Sequence, residues 1–329
     1  MSENPGSHTT PQQVLITGAN GFIGKTLMKH YRTLGIKVVG VDLVGDGQDV
    51  VEGDISKPET LAALLEESDV VVHTAALVSN AMKDFDMWRI NVLATRNMVQ
   101  SARQSGVRRF IQISSVVAFG NEAVGELDED HPVHAAGGSY VLTKVASEHV
   151  VLAAGVRGDM EVVIIRPGDI YGPGSRPWIV APLEAIAANQ FLLPANGEGF
   201  FRPLYVDDLV RGIALASTAD AAAGEIITLS CEGRVTTREF FSHHYRWLAK
   251  KGPLCLPTWL VMAIAKFMTL LANLRKVPNE ASPATIGQLS TRSWFSIQKA
   301  ERLLGWKPEV TLQAGMERSR AWATDQGLL

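Results

Sequence analysis

Tyr140 and Lys144 stand four residues apart in the stretch YVLTK. On a helix that spacing puts both on one face, with β-carbons about 5–6 Å apart. An ammonium so close favours the phenolate, drawing tyrosine down from its usual pKa of about 10 towards working pH, where it can exchange a proton with an alcohol or carbonyl oxygen. Of the five tyrosines, only Tyr140 has a lysine four positions on. Upstream, FIQISSVVAFG carries an apolar run that ends in Ser114-Ser115. A hydroxyl there can bond the reacting oxygen, and the bland alternative for such a pair is a helix cap or turn.

TGANGFIGKT, residues 17–26, offers phosphate chemistry of two kinds. Gly24-Lys25-Thr26 ends like the P-loop of a nucleoside triphosphatase, but that loop needs glycine at position 19, where Ala19 stands. Read as a dinucleotide turn, Gly18 permits the tight bend, Gly21 lets backbone approach a pyrophosphate, and Gly24 lets helix pack on strand. Asp42, 18 residues beyond Gly24, then falls where an acid accepts hydrogen bonds from the adenosine ribose. A 2′-phosphate would meet like charge there, and no Arg or Lys occurs in residues 43–52. NAD is therefore expected rather than NADP, and Lys25 is read as a solvated helix residue.

These groups need a scaffold. Short β-branched runs at residues 13–16, 37–41, 70–74, 110–114 and 162–165 alternate with segments of helical period at 22–34, 58–67, 84–105 and 139–154. The alternation predicts an α/β fold, a doubly wound and mostly parallel Rossmann sheet with helices on both faces. A further helix is expected over 205–217 and a strand over 225–229. Beyond about residue 230 the chain reads as mainly helical with breaks at Pro253, Pro257, Pro278 and Pro283, which predicts a smaller C-terminal substrate lobe. The expected division is a cofactor domain over 11–172, rejoined by 203–230, a substrate lobe from 173–202 and 231–329, and a disordered tail over 1–10.

Composition bounds the partners. With 46% hydrophobic residues and a formal net charge of −3, the chain can bury a large core and carries no global positive field to collect nucleic acid. Cys231 and Cys255 lack metal-ligand spacing, and the eight histidines form no HExxH pair, so no metal is expected and a reducing, cytoplasmic location is. The opening MSENPGSHTTPQQ has neither a charged n-region nor an apolar h-region, so no secretion signal is expected.

Together, the motifs resemble the extended short-chain dehydrogenase/reductase superfamily: TGANGFIG, Asp42, GDI at 53–55, VVHTAA at 71–76, NVLATRN at 91–97, SSVVAFG, YVLTK, RPGDIYGPG at 166–174, YVDDL at 205–209 and KAERLLGWKPEVTLQAG near the end. The resemblance implies that Tyr140 is the general acid/base, that Lys144 tunes it and holds the nicotinamide ribose, and that Ser115 polarises the reacting oxygen. It implies a relay role for Asn91, whose alternative is a buried structural asparagine. Gly18, Asn20, Gly21, Phe22, Ile23 and Gly24 would line the NAD, Asp54 and Ile55 would flank adenine, Ala75 and Ala76 would border the cofactor, and Pro167 would face the nicotinamide amide. Phe119 and Thr143 depart from the tyrosine and serine usual in the family.

Within the superfamily, RPGDIYGPG and the later apolar helix resemble the 3β-hydroxysteroid and sterol-4-carboxylate dehydrogenase branch. The expected reaction is hydride transfer between a secondary alcohol or ketone on a hydrophobic, steroid-like or 3-oxoacyl molecule and nicotinamide. Arg202 before PLYVDD leaves a sugar-nucleotide epimerase or dehydratase as an alternative, and a non-catalytic NAD-binding regulator as another. The apolar stretch 254–276, flanked by Lys250, Lys251, Arg275 and Lys276, reads as a core or homodimer helix, with shallow peripheral membrane contact as its alternative.

Overall fold

The computed structural model describes residues 9–78, 83–136, 138–275 and 283–329. Seven strands, β1 (Gln13–Thr17), β2 (Lys37–Asp42), β3 (Val50–Glu52), β4 (Val70–His73), β5 (Arg109–Ile113), β6 (Glu161–Pro167) and β7 (Ile226–Leu229), form one sheet in the order 7-6-5-4-1-2-3. Every neighbouring pair is parallel. The order reverses between β1 and β4, and such a switch point opens a crevice at the carboxyl ends of the strands. β1, β4 and β5 are buried at every residue. A parallel strand covered on both faces loses the polar alternation of a half-exposed one, which is why β1 and β4 read as largely apolar runs; β5, RFIQI, buries Arg109 and Gln112 as well.

Apolar clusters fill both faces. One joins Val14 and Ile16 to Leu27 and Met28 of helix α1 (Phe22–Thr33) and to Leu209 and Ile213 of the helix Val206–Thr218. The other joins Leu15 and Val71 to Met98, Val99 and Val151. The C-terminal segment closes onto the first: Trp306 is fully buried, its Nε1 donates to the Asp208 carbonyl at 2.9 Å, and the Asp208 carboxylate accepts from the Glu309 and Val310 amides, each at 2.9 Å.

The expected elements are present with shifted ends. The segment 58–67 begins as a 3₁₀ turn (Pro58–Leu61) before Ala62–Glu66, and 84–105 contains a π-helical turn, Arg89–Ala94, between Asp84–Trp88 and Thr95–Gln104. Pro257 and Pro283 stand at the starts of helices Thr258–Arg275 and Pro283–Ser290, where proline's missing N–H costs nothing; Pro278 lies outside the described residues. Within the tail expected over 1–10, residues 1–8 also lie outside them, and the Thr9 amide donates to the Thr218 carbonyl at 3.1 Å. Several strands were not expected: β3 in the main sheet, and short strands that pair outside it. Arg292–Phe295 pairs in parallel with Val124–Leu127, carrying a late part of the chain back across the carboxyl edge of the sheet.

A buried ionic knot sets where the Tyr140 helix (Ser139–Gly155) sits. Glu148, on that helix, accepts from Arg166 of β6 through Nε at 2.9 Å and Nη2 at 2.7 Å, and from the Ser114 hydroxyl at 2.5 Å. The two ionic side chains are only 2–3% exposed. Removing one member leaves an uncompensated charge in the interior, so Glu148→Ala is expected to lower the unfolding free energy by about 3–5 kcal/mol, read by denaturant unfolding. A loss below about 1 kcal/mol would mean that water reaches the pair, as at exposed ion pairs.

Candidate active site

At the switch point the chain turns tightly out of β1. Gly18 has φ +71°, and a β-carbon on it would lie 2.9 Å from the Ala75 backbone. One on Gly24 would lie 2.2 Å from the Gly18 carbonyl, so both positions require glycine on packing grounds. Gly18 donates to the Val41 carbonyl at 2.8 Å and Thr74 Oγ1 to the Thr17 carbonyl at 2.7 Å, which draws the ends of β1, β2 and β4 together. Asn20, Gly21, Phe22 and Ile23 form the turn and the opening of α1. The helix begins at Gly21 with no side-chain cap and no acid in its first turn, so its free N–H groups and positive dipole end face outward uncompensated.

Asp42 closes β2 beside this turn, with one oxygen accepting from the Asn20 amide and the other from the Leu43 amide, each at 2.8 Å. Each oxygen retains a lone pair for a diol. Gly53 donates to the Asp42 carbonyl at 2.7 Å, which brings Asp54 and the buried Ile55 alongside. Asp54 accepts from the Ser56 amide at 2.8 Å, and hydrogen bonds from Ser56 hold its carboxyl below the usual range. Ala75 and Ala76 follow β4, and Pro167 ends β6. The residues expected to hold a dinucleotide thus line one edge. An uncapped helix start, a glycine turn too tight for β-carbons and an acid at the end of β2 fit its pyrophosphate and ribose.

Tyr140 and Lys144 share a face of their helix as expected, with Lys144 Nζ 5.7 Å from the phenol ring centre and donating to the Ile113 carbonyl at 2.8 Å. Ile113 ends β5, so this bond brings the helix to the strand that leads into Ser115. Ser115 Oγ accepts from the Val117 amide at 3.3 Å and caps the turn Val116–Phe119; its proton stays available to a ligand oxygen. Asn91 is fully engaged: Oδ1 accepts from Leu77 N at 2.8 Å, while Nδ2 donates to the Leu77 carbonyl and to Thr143 Oγ1. This amide ties the segment after β4 to the Tyr140 helix, a positioning arrangement rather than an open relay. Thr143 supplies the hydroxyl for that contact.

One expectation is corrected. In the free protein the phenol of Tyr140 is pushed up from its ordinary value, first by burial and then by the Asp169 carboxylate. The ammonium does not overcome desolvation. Burial in turn lowers Lys144 to about 8, against an opposing pull from Glu148.

Sequence reasoning also passed over Glu148, His73 and Asp169, and left Ser114 as one of two candidate hydroxyls. Glu148 and Ser114 hold the helix, as described above. His73, fully buried between Thr17 Oγ1 at 2.8 Å and Thr95 Oγ1 at 3.1 Å, is lowered to about 3 by burial, with Lys144 adding to it, and stays neutral. Asp169 pairs with Arg202 at 3.1 Å, both about 4% exposed, and accepts from Gln288 Nε2 at 2.7 Å. A readable signal existed for one: Glu148 follows Lys144 by four residues, an acid on the same helix face.

The model of the NAD dependent epimerase/dehydratase family matches residues 14–229. The chain is similar to the UDP-glucose 4-epimerase of Vibrio cholerae (29% identity over 95% of this chain and 96% of that protein) and to the sterol-4-alpha-carboxylate 3-dehydrogenase of Candida albicans (27%, over 95% and 98%). A solved structure, MoeE5 in complex with UDP-glucuronic acid and NAD, superposes with a TM-score of 0.77 at 26% identity, over 95% of this chain and 99% of that one.

The buried lysine makes a signed prediction. Its folded pKa of about 8 lies below the value of about 10.5 for the unfolded chain, so between them the unfolded state binds more protons and stability rises with pH. In nucleotide-free protein, the stability of wild type relative to Lys144→Met should climb from pH 8 towards 10, by an amount on the order of 1–3 kcal/mol. A flat difference would show that burial does not disfavour the ammonium.

Proposed function

Because the chain belongs to the NAD-dependent epimerase/dehydratase family, we propose that it is an NAD-dependent oxidoreductase acting on a secondary alcohol or ketone of a hydrophobic, steroid-like or 3-oxoacyl substrate. NAD, when bound, supplies the hydride acceptor or donor. Tyr140 Oη gives or takes the proton at the substrate oxygen, and Ser115 Oγ donates a hydrogen bond to the same oxygen. Lys144 Nζ places positive charge beside the phenol and reaches for the ribose. Gly18, Gly21 and Gly24 admit the pyrophosphate, and Asp42 takes the adenosine ribose. Positioning of the reacting carbons accounts for about 7–11 kcal/mol of the barrier in well-oriented pairs.

The observation that carries the substrate class is the Arg202–Asp169 pair. A diphosphate needs free cations, yet the arginine expected for that task is buried and committed to a carboxylate. That carboxylate lies close enough to Tyr140 to perturb it, and the pair as a whole offers a polyanionic substrate no net positive charge. Beside it, Val116, Phe119, Leu127 and Phe295 form an apolar cluster, with the Phe119 and Phe295 rings 5.3 Å apart. The second reading, a sugar-nucleotide epimerase holding its NAD, is favoured by the similarity to the Vibrio cholerae enzyme and to MoeE5.

Absorbance of NADH distinguishes the two. A panel of hydroxysteroids and 3-oxoacyl esters is expected to give net redox change, with UDP-glucose and UDP-glucuronic acid inert. Epimerisation of either sugar without net NADH change, and silence from the panel, would establish the second reading. Tyr140→Phe should lower turnover by about 10²–10⁴ while NADH binding is retained; unchanged turnover would remove the phenol from the reaction.

A further inference from the structure

The helix Thr258–Arg275 presents its apolar side outward. Val261 and Ala265 pack inward against Ile286 and Leu192, while Trp259 and Phe267 are 71% and 61% exposed and Ala263, Ile264 and Met268 are exposed with them. At 100° per residue these five positions form one continuous outer arc, and Lys266, exposed, lies at its edge beside Trp259. The exposed Leu254 precedes the helix. An outward patch of this kind on a water-soluble surface marks a contact site.

Charge identifies the occupant. No Asp or Glu occurs between Glu239 and Glu280, whereas six lysines and arginines do, on a chain whose net charge is −3. A second copy presenting the same face would bring no acidic side chain from residues 240–279 to pair with Lys266. No helix among the described residues is long and apolar enough to cross a membrane. We propose that this face docks the protein on an anionic lipid surface, with Trp259, Ile264 and Phe267 entering the headgroup boundary and Lys266 snorkelling to the phosphates. The inference stands apart from the identity of the substrate.

Flotation of the full chain with vesicles of phosphatidylcholine, alone or mixed with phosphatidylglycerol, tests it. The protein is expected to float with the mixed vesicles, less with phosphatidylcholine alone, and less at high salt. Replacing Trp259 and Phe267 together by serine should weaken partitioning about tenfold or more, and Lys266→Glu should weaken it while circular dichroism and NADH binding stay unchanged. No flotation with either composition, equal flotation with both, or variants that float like wild type would each overturn the proposal. So would a variant that alters only the oligomeric state, which would assign the face to a second copy.

Discussion

A carboxylate sealed in the interior can sit only where cations and donors meet it, and Glu148 exploits that constraint. Its two partners come from the carboxyl ends of two neighbouring strands: Ser114 just past β5, and Arg166 near the end of β6. The helix carrying Tyr140 and Lys144 therefore has one satisfactory rotation and height against the sheet. Apolar packing alone would tolerate sliding, because one aliphatic contact replaces another at little cost. A bidentate guanidinium pair does not. Phe119 covers the guanidinium from the side, its ring centre 4.7 Å from Cζ, and helps keep water from it.

The same rigidity explains how an ammonium can be kept in a place that disfavours it. Lys144 is 4% exposed and spends a hydrogen bond on the Ile113 carbonyl, with Glu148 one helical turn away as its electrostatic counterweight. The phenol above it is likewise raised by burial. Groups whose ionised forms are both disfavoured in the empty protein are responsive ones: charge brought in by a ligand finds them with little solvent screening.

Much of the framework was legible because its physics is local. A strand buried on both faces is a continuous apolar run, a tight turn is a glycine, and four-residue spacing on a helix is a shared face; β1, Gly18 and the Tyr140/Lys144 pair all follow. What escaped depends on residues that meet only after folding. The strand Arg292–Phe295 is four residues long and finds its partner far back in the sequence at Val124–Leu127. Arg202 reads equally well as a phosphate ligand or an ion-pair former until Asp169 is seen against it. The direction of the Tyr140 shift was missed because burial depends on the whole fold, whereas the spacing to Lys144 reports only a neighbour.

The crossing strand also orders events in time. Gln288, Thr291 and Phe295 reach the crevice because this late segment returns to pair with Val124–Leu127, and there Gln288 meets Asp169, Thr291 meets Arg202 and Phe295 stacks near Phe119. A ribosome delivers the β1–β5 half long before it delivers these residues, and domains tend to fold as they emerge. A chain interrupted before residue 288 accordingly carries every residue expected to line the nucleotide, yet lacks these side chains of the substrate-side wall and the Trp306 that closes the core beneath β1.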